Sequence, residues 1–348
     1  MTRLQVFGIP GVGEVRAGAD LAADLLDALA AAGTALAAGD VLVVSSKVVS
    51  KAEGRAVPAT TRDALVAAET VRLVARRRTP NGLAQVVQAQ AGPVMAAAGV
   101  DLSNVEPGSA LLLPVDPDAS ARALRARLTA LGAPPVGVVL SDTAGRAWRD
   151  GQVDFALGAA GIRITEDLRG GTDTYGQPLE VTVRALVDEV AAAGDLVKGK
   201  TSGVPAAVVR GVPELVTDDD GPGAAALLRP AGEDWFRFGQ VEAVRAALGV
   251  APDAHEPPAV PREDVETRLR RAVTIALAAR DPWPAPPLEA DVSYDGDRAV
   301  VTTTHADDFS IGALAQRIAA ALWSEDLAVH AMRVDGGCLS LVAALINE

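Results

Sequence analysis

Apolar residues in this chain are grouped into short, uninterrupted runs that end in polar residues or proline. Residues 41–44 stop at Ser45, and residues 136–140 follow two prolines and lead into Ser141. Runs this short and this apolar are typical of strands that are buried on both faces of a sheet. The pattern therefore predicts strands in both places, and it predicts two more at residues 110–113 and 206–209.

Other segments carry apolar residues at the spacing of a helix. Residues 19–38 are rich in Ala and Leu but contain three aspartates, so they predict an amphipathic helix and not a membrane span. Residues 121–131 predict a second helix, and residues 183–197 predict a third that stops at Gly199. Strands and helices in this order indicate a mixed α/β fold, in which ligand sites commonly lie where buried strands end.

A change in composition divides the chain. Asp, Gly and Pro become frequent after residue 215, and a Pro-rich stretch covers residues 251–261. We therefore expect a large domain at residues 1–245, a linker at 246–262 and a small α+β domain at 263–348. In the small domain the pattern predicts a helix, two strands around residues 294–297, a helix near 311–323 and a last strand or two.

The charge and cysteine content narrow the class of protein. The formal net charge of the 348 residues is −13, which argues against a general binder of nucleic acid or of a membrane surface. The N-terminus lacks the apolar run of a signal peptide. The single cysteine, Cys338, rules out an intramolecular disulfide and fits a reducing compartment, so we expect a cytoplasmic protein.

Histidine and cysteine are confined to the last third of the chain. Residues 1–250 contain neither, which excludes a Ser-His-Asp triad, a cysteine nucleophile and a zinc site there. His255, His305, His330 and Cys338 lack the spacing of metal ligands, and we expect them to be structural. The remaining polar groups are carboxylates, hydroxyls, Lys and Arg, which suit hard cations and phosphates.

Lysine occurs only four times, in two close pairs, whereas the other 28 basic residues are arginine. Lys47 and Lys51 form one pair, and Lys198 and Lys200 form the other. Both pairs lie among glycines and hydroxyl residues, a composition that favours phosphate binding. Chance clustering under a strong arginine bias is the alternative.

The densest group of chemically active residues follows the predicted strand at 136–140. Asp142 and Thr143 could meet a cation that is held to phosphates, and Arg146 and Arg149 could face one anion together. Asp101, in a segment rich in Gly and Asn, would supply a second carboxylate. The alternatives are a capped turn at Asp142, solvated arginines and an ordinary turn at Asp101.

In combination, these segments resemble the coenzyme F420-0:L-glutamate ligase family over about residues 4–245. Each segment is weak by itself, but the order of all of them is specific. They are GD at 39–40, SKVVSKAEGR at 46–55, AGVDLSNV at 98–105, SDTAGR at 141–146 and ALGAAG at 156–161. The sequence GEDWFRFG at 232–239 is also similar to the linker of actinobacterial fused members, in which a nitroreductase-like flavin domain follows. Too few residues follow here for a complete flavin domain.

The resemblance implies a GTP-dependent ligase that joins L-glutamate to coenzyme F420-0, a deazaflavin with a phosphodiester-linked lactyl carboxylate. Further glutamates would be added through γ-linkages, an acyl phosphate would be the intermediate, and GDP and phosphate would be released. The resemblance also implies Mg²⁺ or Mn²⁺, a monovalent K⁺, a two-lobed α/β catalytic region and an intertwined homodimer.

The resemblance assigns roles by position. Asp101, Asp142 and Thr143 match the divalent-metal ligands. The nucleotide contacts match Pro10, Gly11, Val12, Gly13, Ser45, Ser46, Lys51, Asn104, Lys198, Gly199, Lys200, Thr201 and Ser202, with a backbone metal contact near Lys198. Asp142, Arg146 and Arg149 are the catalytic candidates, the two arginines as ligands of the acyl phosphate or of the acidic substrate. One departure is Ala97, where the family often has Asn.

Three alternatives stay open. The chain could be an amide ligase of the same mechanism that acts on another acid acceptor, or a non-catalytic nucleotide-binding protein. The C-terminal domain could be a decayed flavin-binding module or an oligomerisation domain.

Overall fold

The computed structural model describes residues 3–59, 61–79, 82–230, 233–251, 263–278, 289–303, 307–335 and 338–346. The α-helices within these ranges are α1 (Leu21–Ala31), α2 (Ser46–Ala52), α3 (Arg62–Ala68), α4 (Pro117–Ala130), α5 (Leu186–Lys198), α6 (Gln240–Ala247), α7 (Val265–Leu277) and α8 (Asp308–Ser324).

The strands within the same ranges are β1 (Gln5–Gly8), β2 (Val41–Ser45), β3 (Ala56–Pro58), β4 (Thr70–Thr79), β5 (Gly82–Ala89), β6 (Val94–Ala96), β7 (Ser109–Leu111), β8 (Gly137–Arg146), β9 (Arg149–Ala160), β10 (Glu166–Asp167), β11 (Val183–Arg184), β12 (Ala206–Arg210), β13 (Ala290–Asp295), β14 (Arg298–Thr303), β15 (Leu327–Asp335) and β16 (Cys338–Leu345). The fold class is therefore mixed α/β, as the sequence predicted.

The chain divides into two compact units. The first comprises Met1–Leu65 and Gln88–Pro230, and the second comprises Val66–Val87 and Ala231–Glu348. The domain boundaries expected from the sequence, at residues 245 and 262, remain a prediction. Residues 252–262 of the expected linker, together with His255 and His305, lie outside the described residues.

A five-stranded sheet forms the centre of the first unit. Its strand order is β1-β12-β2-β8-β9, and β2 pairs with β8 in parallel whereas the other neighbours are antiparallel. Because β2 and β8 run in the same direction, Ser45 lies level with Ser141 at the same edge of the sheet. The residues that follow Ser45 and Ser141 therefore meet there.

Helices cover both faces of this sheet. Leu42 and Val44 pack with side chains of α1 and α4 on one face, whereas Val41 and Val43 pack with side chains of α5 on the other. All four are fully buried. Alternate residues of a strand point to opposite faces, so a continuous apolar run is what a strand between two helical layers requires.

The predicted elements are present, but several bounds differ. The first predicted helix ends at Ala31 and not at residue 38, next to Gly33, which has a φ of 71°. The predicted strand at 110–113 is β7, which ends at Leu111, and the third predicted helix begins at Leu186. The second predicted helix, at 121–131, is α4 and begins earlier, at Pro117, where Asp116 caps the helix by accepting from the Ala119 N–H.

The strand β8 is longer than the sequence indicated. Ser141, Asp142 and Thr143 were expected to follow the strand, but β8 continues through them to Arg146. The reason is β9, which pairs with β8 along this length and opposes Asp142 with Phe155 and Thr143 with Asp154.

The second unit contains the elements predicted for residues 263–348. Strands β13, β14, β16 and β15, in that order, form an antiparallel sheet, and α7 and α8 contribute to one apolar core with it. Residues 66–87 belong to the same unit, where Arg72 of β4 lies 2.7 Å from Glu242 of α6. Glu325 is fully buried and pairs with Arg271 at 2.9 Å.

None of the helices in the described parts of the chain is both long enough and apolar enough to cross a membrane.

The close packing of α5 on the sheet gives the first testable prediction. A Cβ added at Gly194 of α5 would lie 2.8 Å from Val43 Cγ1, whereas one added at Gly312 of α8 would meet nothing within 4 Å. We expect Gly194→Ala to lower the free energy of unfolding by about 1 kcal/mol, because steric overlap outweighs the gain in helix propensity. Gly312→Ala, the matched control, should raise it by about 0.5–1 kcal/mol. Guanidinium denaturation of both variants checks the opposite signs, and a stabilised Gly194→Ala would contradict the packing.

Candidate active site

The short helix α2 holds two acidic residues from distant parts of the chain. Ser46, its first residue, donates from its hydroxyl to Asp142 Oδ1 over 3.2 Å. Lys47, the next residue, places its Nζ 2.6 Å from Asp101 Oδ2 and also donates to the Ser103 carbonyl over 2.9 Å. The structure thus brings together Ser46, Asp101 and Asp142, which the sequence had singled out separately.

Asp142 carries an unusual proton affinity. The pKa of its carboxyl is raised to about 6, chiefly by burial and also by the nearby carboxylates of Asp154 and Asp101, whereas hydrogen bonds from the Thr143 backbone and the Ser46 hydroxyl act in the opposite direction. A carboxyl group in this position is stabilised in its charged form by any cation placed beside it.

Asp101 has the opposite shift. Burial works against its charge, but bonds from the Lys47 ammonium and from the Ser103 N–H hold the pKa of Asp101 below its ordinary value. The Ser103 N–H lies 2.7 Å from Asp101 Oδ1, and the Asp101 backbone exchanges two hydrogen bonds with Leu111 of β7. Asp101 is therefore held in place as a carboxylate.

Thr143 points to the opposite face of β8 from Asp142, since consecutive strand residues alternate. Its hydroxyl donates to Asp154 Oδ1 over 2.7 Å, and Ser141 donates to Asp154 Oδ2 over 2.8 Å. Asp154 is itself 4% exposed and lies 2.7 Å from the ammonium of Lys198. The two predicted metal ligands of β8 are thus separated, and the Thr143 hydroxyl belongs to the Asp154 network.

Lys198 is 3% exposed and ends α5. Its ammonium donates to Ser141 Oγ over 2.6 Å as well as to Asp154. Gly199 has a φ of 61°, which ends the helix where the sequence predicted, and the Ser202 hydroxyl bonds to the Lys198 carbonyl. Lys200 and Thr201 are exposed. The side chain of Lys198 therefore faces the interior, and any nucleotide contact of this segment falls to its exposed residues and backbone.

The predicted nucleotide loop at residues 10–13 follows β1. Gly11 has a φ of 84°, and Pro10, Gly11 and Gly13 are exposed. The loop is tied to α2 by the next residue, Glu14, whose Oε1 lies 2.5 Å from Lys51 Nζ. That bond holds the pKa of Glu14 below its ordinary value. The loop and Lys51 are thus neighbours, as a shared nucleotide site requires.

The remaining predicted residues lie at the edges. Asn104 is exposed and has a φ of 54°. Arg146 and Arg149 oppose each other near the tip of the β8–β9 hairpin, and Arg146 Nη2 donates to the Asp150 carbonyl over 3.1 Å. Both arginines are exposed, so either can meet an anion from solvent.

Ala97 adopts a left-handed backbone, with a φ of 50°, and so does Ala98, with a φ of 52°. Left-handed conformations are unfavourable for Ala but are tolerated by Asn, whose side chain can bond to the local backbone. The asparagine that the family often has at position 97 would suit this backbone better. The departure from the family pattern therefore costs conformational energy just before Asp101.

The chain was compared with known proteins. A model of the family F420-0:Gamma-glutamyl ligase matches residues 11–211. The chain belongs to this family of ligases.

Several curated relatives support the assignment, and each carries the name coenzyme F420:L-glutamate ligase. The Methanopyrus kandleri protein is 37% identical over 254 residues, which are 67% of this chain and 98% of that protein. The Archaeoglobus fulgidus protein is 39% identical over 227 residues, or 60% and 88% of the two chains. The Methanothermobacter thermautotrophicus protein is 35% identical over 252 residues, or 67% and 99%. About a third of this chain therefore extends beyond these relatives.

The residues fit a divalent cation in part. The charge of Asp101 raises the pKa of Asp142, so the two carboxylates repel each other. A cation placed between them would remove this repulsion. No group of three or more His, Cys, Asp or Glu side chains with metal-site geometry occurs among the described residues. A cation here would therefore need oxygens from hydroxyls, backbone, water or phosphate besides the two carboxylates.

Sequence reasoning missed Asp154 and the role of Lys47. Asp154 directly precedes the apolar second half of β9, and an acid next to a buried apolar run was the available signal. No local pattern indicates that Lys47 reaches Asp101, because the two residues are 54 positions apart and meet only through the fold.

The raised pKa of Asp142 gives a pH prediction. A carboxyl whose pKa is higher in the folded state stabilises the fold at low pH and loses this contribution as the pH rises through about 6. We expect Asp142→Asn, measured with a chelator present, to gain about 1–2 kcal/mol of unfolding free energy relative to wild type between pH 5 and pH 8. Urea denaturation at both values checks it. An identical pH profile for the two proteins would show that Asp142 titrates normally.

The buried pair of Lys198 and Asp154 gives a stability prediction. Asp154→Asn leaves the Lys198 ammonium buried without its counter-charge, which should cost about 3–5 kcal/mol of unfolding free energy. Adding Lys198→Met should recover a large part of this loss, because the uncompensated charge is removed. Denaturation of the two single variants and the double variant checks the coupling. Additive losses would contradict a direct ion pair.

Proposed function

We propose that this protein joins L-glutamate to coenzyme F420-0 in a GTP-dependent reaction and then adds further glutamates through γ-linkages. The relatives named above are coenzyme F420:L-glutamate ligases, and the family match covers the segment that holds Asp101 and Asp142. The observation that carries the proposal is that α2 gathers these two carboxylates beside a loop and a lysine suited to a nucleotide.

The chemistry requires activation of a carboxylate, which is a poor acyl donor. An oxygen of the acceptor carboxylate attacks the γ-phosphorus of GTP, the bond to the β-phosphate oxygen breaks, and GDP leaves. The glutamate amine, after losing a proton, then attacks the carbonyl carbon of the acyl phosphate, and phosphate leaves with the electron pair of the broken bond. Neither step needs His or Cys, which agrees with their absence from residues 1–250.

Asp101 and Asp142 would hold a divalent cation, Mg²⁺ or Mn²⁺, which would neutralise charge on the transferring phosphoryl group. Ser46 orients Asp142 through its hydrogen bond, and Lys47 keeps Asp101 ionised. The Thr143 hydroxyl lies on the opposite face of β8 and is donated to Asp154, so the cation site proposed here uses the two carboxylates without that hydroxyl. A bound K⁺ also belongs to the proposal.

The nucleotide would bind at the loop of residues 10–13, at Ser45 and Lys51, at Asn104 and at the segment that follows Lys198. In a chain with a net charge of −13, a triphosphate needs local cations and backbone N–H groups. Lys51 supplies one such cation, and its pairing with Glu14 places it beside the loop. Arg146 and Arg149 are proposed to bind the acyl phosphate or the acidic substrate. We further propose a cytoplasmic homodimer.

The test is a direct assay with coenzyme F420-0, L-glutamate, GTP and Mn²⁺. We expect a glutamylated product by mass spectrometry, with one GDP and one phosphate released per amide bond formed. Asp142→Asn should lower turnover at least about 100-fold, because the loss of a metal ligand lowers activity more than the loss of a residue that only orients a ligand. Asp291→Asn, an exposed aspartate of β13, is the matched control and should leave turnover unchanged.

Three outcomes would count against the proposal. Unchanged turnover of Asp142→Asn would remove the metal assignment. Product from a different acid acceptor, but not from F420-0, would favour an amide ligase of other specificity. Binding of GDP with no phosphate release over prolonged incubation would favour a non-catalytic nucleotide-binding protein.

A further inference from the structure

The first unit contains a cavity of about 550 Å³ that none of the assigned nucleotide or metal residues lines. It is enclosed by the turn at residues 90–94, the start of α4, the strands β8 and β9, and the short 3-10 helix Ala224–Leu227. Its apolar lining includes Val94, Val153, Phe155, Leu157 and Leu227. Among the described residues that line it, Phe155 is the one aromatic.

One wall of the cavity is held in place by Asp118, which is buried and only 8% exposed. Its Oδ1 accepts from the backbone N–H of Ala159 over 2.8 Å and of Ala224 over 2.7 Å, and its Oδ2 accepts from Ala225 over 3.1 Å. A Cβ at Gly223, which has a φ of 82°, would collide with this carboxylate at 2.3 Å. Asp118 therefore fixes the 3-10 helix against β9, and this wall of the cavity is held by hydrogen bonds within the protein.

The cavity adjoins the candidate active site along one strand. Asp142 and Ala144 lie on the same face of β8, since alternate residues share a face, and Arg146 follows after an irregularity in the strand pairing. Ala144 and Arg146 line the cavity, and Asp142 precedes Ala144 by two residues, roughly 7 Å along the strand. A ligand in the cavity could thus extend a short arm to Asp142.

The charges of the lining argue against the nucleotide as occupant. Three carboxylates, those of Asp116, Asp118 and Asp188, line the cavity, against the single cation of Arg146. A triphosphate would be repelled, whereas an uncharged ring with one anionic arm at Arg146 would be accepted. Cavities of this volume with apolar walls and a few polar groups are typical sites for ring-containing small molecules.

We propose that this cavity binds the planar deazaflavin ring of the acceptor, with the phosphate of its anionic arm beside Arg146 and the rest of the arm running back along β8 towards Asp142. Phe155 contacts the ring, and Asp188, whose Oδ1 accepts from the Ala156 N–H over 2.9 Å, offers a polar group to the ring edge. This inference rests on the proposed function and adds the place and the orientation of the acceptor.

The experiment is a fluorescence titration, without GTP or glutamate, using two probes. One probe is coenzyme F420-0, and the other is the same deazaflavin without the phosphate-containing arm. Wild type should bind both. Phe155→Ala should weaken the binding of both at least about 10-fold, because the contact with an aromatic face is lost. Arg146→Gln should weaken only the complete acceptor.

A second variant guards against misfolding of Phe155→Ala. Val153→Trp adds volume to the cavity from a partly exposed strand position and should abolish binding of the ring. Its stabilisation by GTP with Mn²⁺ in a thermal shift assay should equal that of wild type. Phe309→Ala, which removes an aromatic that is 74% exposed in the second unit, is the matched control and should bind both probes normally.

The outcomes separate this inference from the proposed function. If wild type makes the glutamylated product but Phe155→Ala and Val153→Trp bind the ring as wild type does, the acceptor lies elsewhere and the function stands. If wild type binds the complete acceptor but not the bare ring, the cavity does not hold the ring. If wild type neither binds nor converts F420-0, the proposed function fails, and this inference fails with it.

Discussion

The buried ion pair between Lys198 and Asp154 is the interaction on which the candidate site depends. It joins the end of α5 to β9 and, through the hydroxyls of Ser141 and Thr143, to β8. A buried charge is tolerated only when it is compensated, so neither partner can be changed alone without a large cost. The pair thereby fixes the part of β8 that carries Asp142.

The same pair also sets the electrostatics of the other face. Asp154 lies opposite Thr143, the neighbour of Asp142 in β8, and its charge contributes to the raised pKa of the Asp142 carboxyl. The raised pKa of Asp142 thus results from its own burial and from the nearby carboxylates of Asp154 and Asp101, which are held in place by Lys198 and Lys47. A compact ammonium suits this position because Lys198 donates to a buried carboxylate and to a hydroxyl at once.

Three of the four lysines meet a carboxylate: Lys47 meets Asp101, Lys51 meets Glu14 and Lys198 meets Asp154. They differ in burial, since Lys198 is enclosed whereas Lys47 and Lys51 stay accessible in part. An incoming cation can therefore displace Lys47 from Asp101, and an incoming phosphate can displace Glu14 from Lys51, more readily than either could open the buried pair of Lys198 and Asp154. This difference separates a structural lysine from two that can exchange their contacts on ligand binding.

The sequence by itself determined the elements and the set of chemically active residues. Apolar runs identify buried strands because a strand between two helical layers must be apolar on both faces, and Gly199 marks the end of α5 because it adopts a φ that other residues avoid. Only the tertiary structure decided how those residues are divided between sites. It extended β8 through Asp142 and Thr143 by pairing it with β9, which turned the two side chains to opposite faces. It also brought Lys47 to Asp101 and Lys198 to Asp154, contacts between residues far apart in the chain that no local pattern encodes.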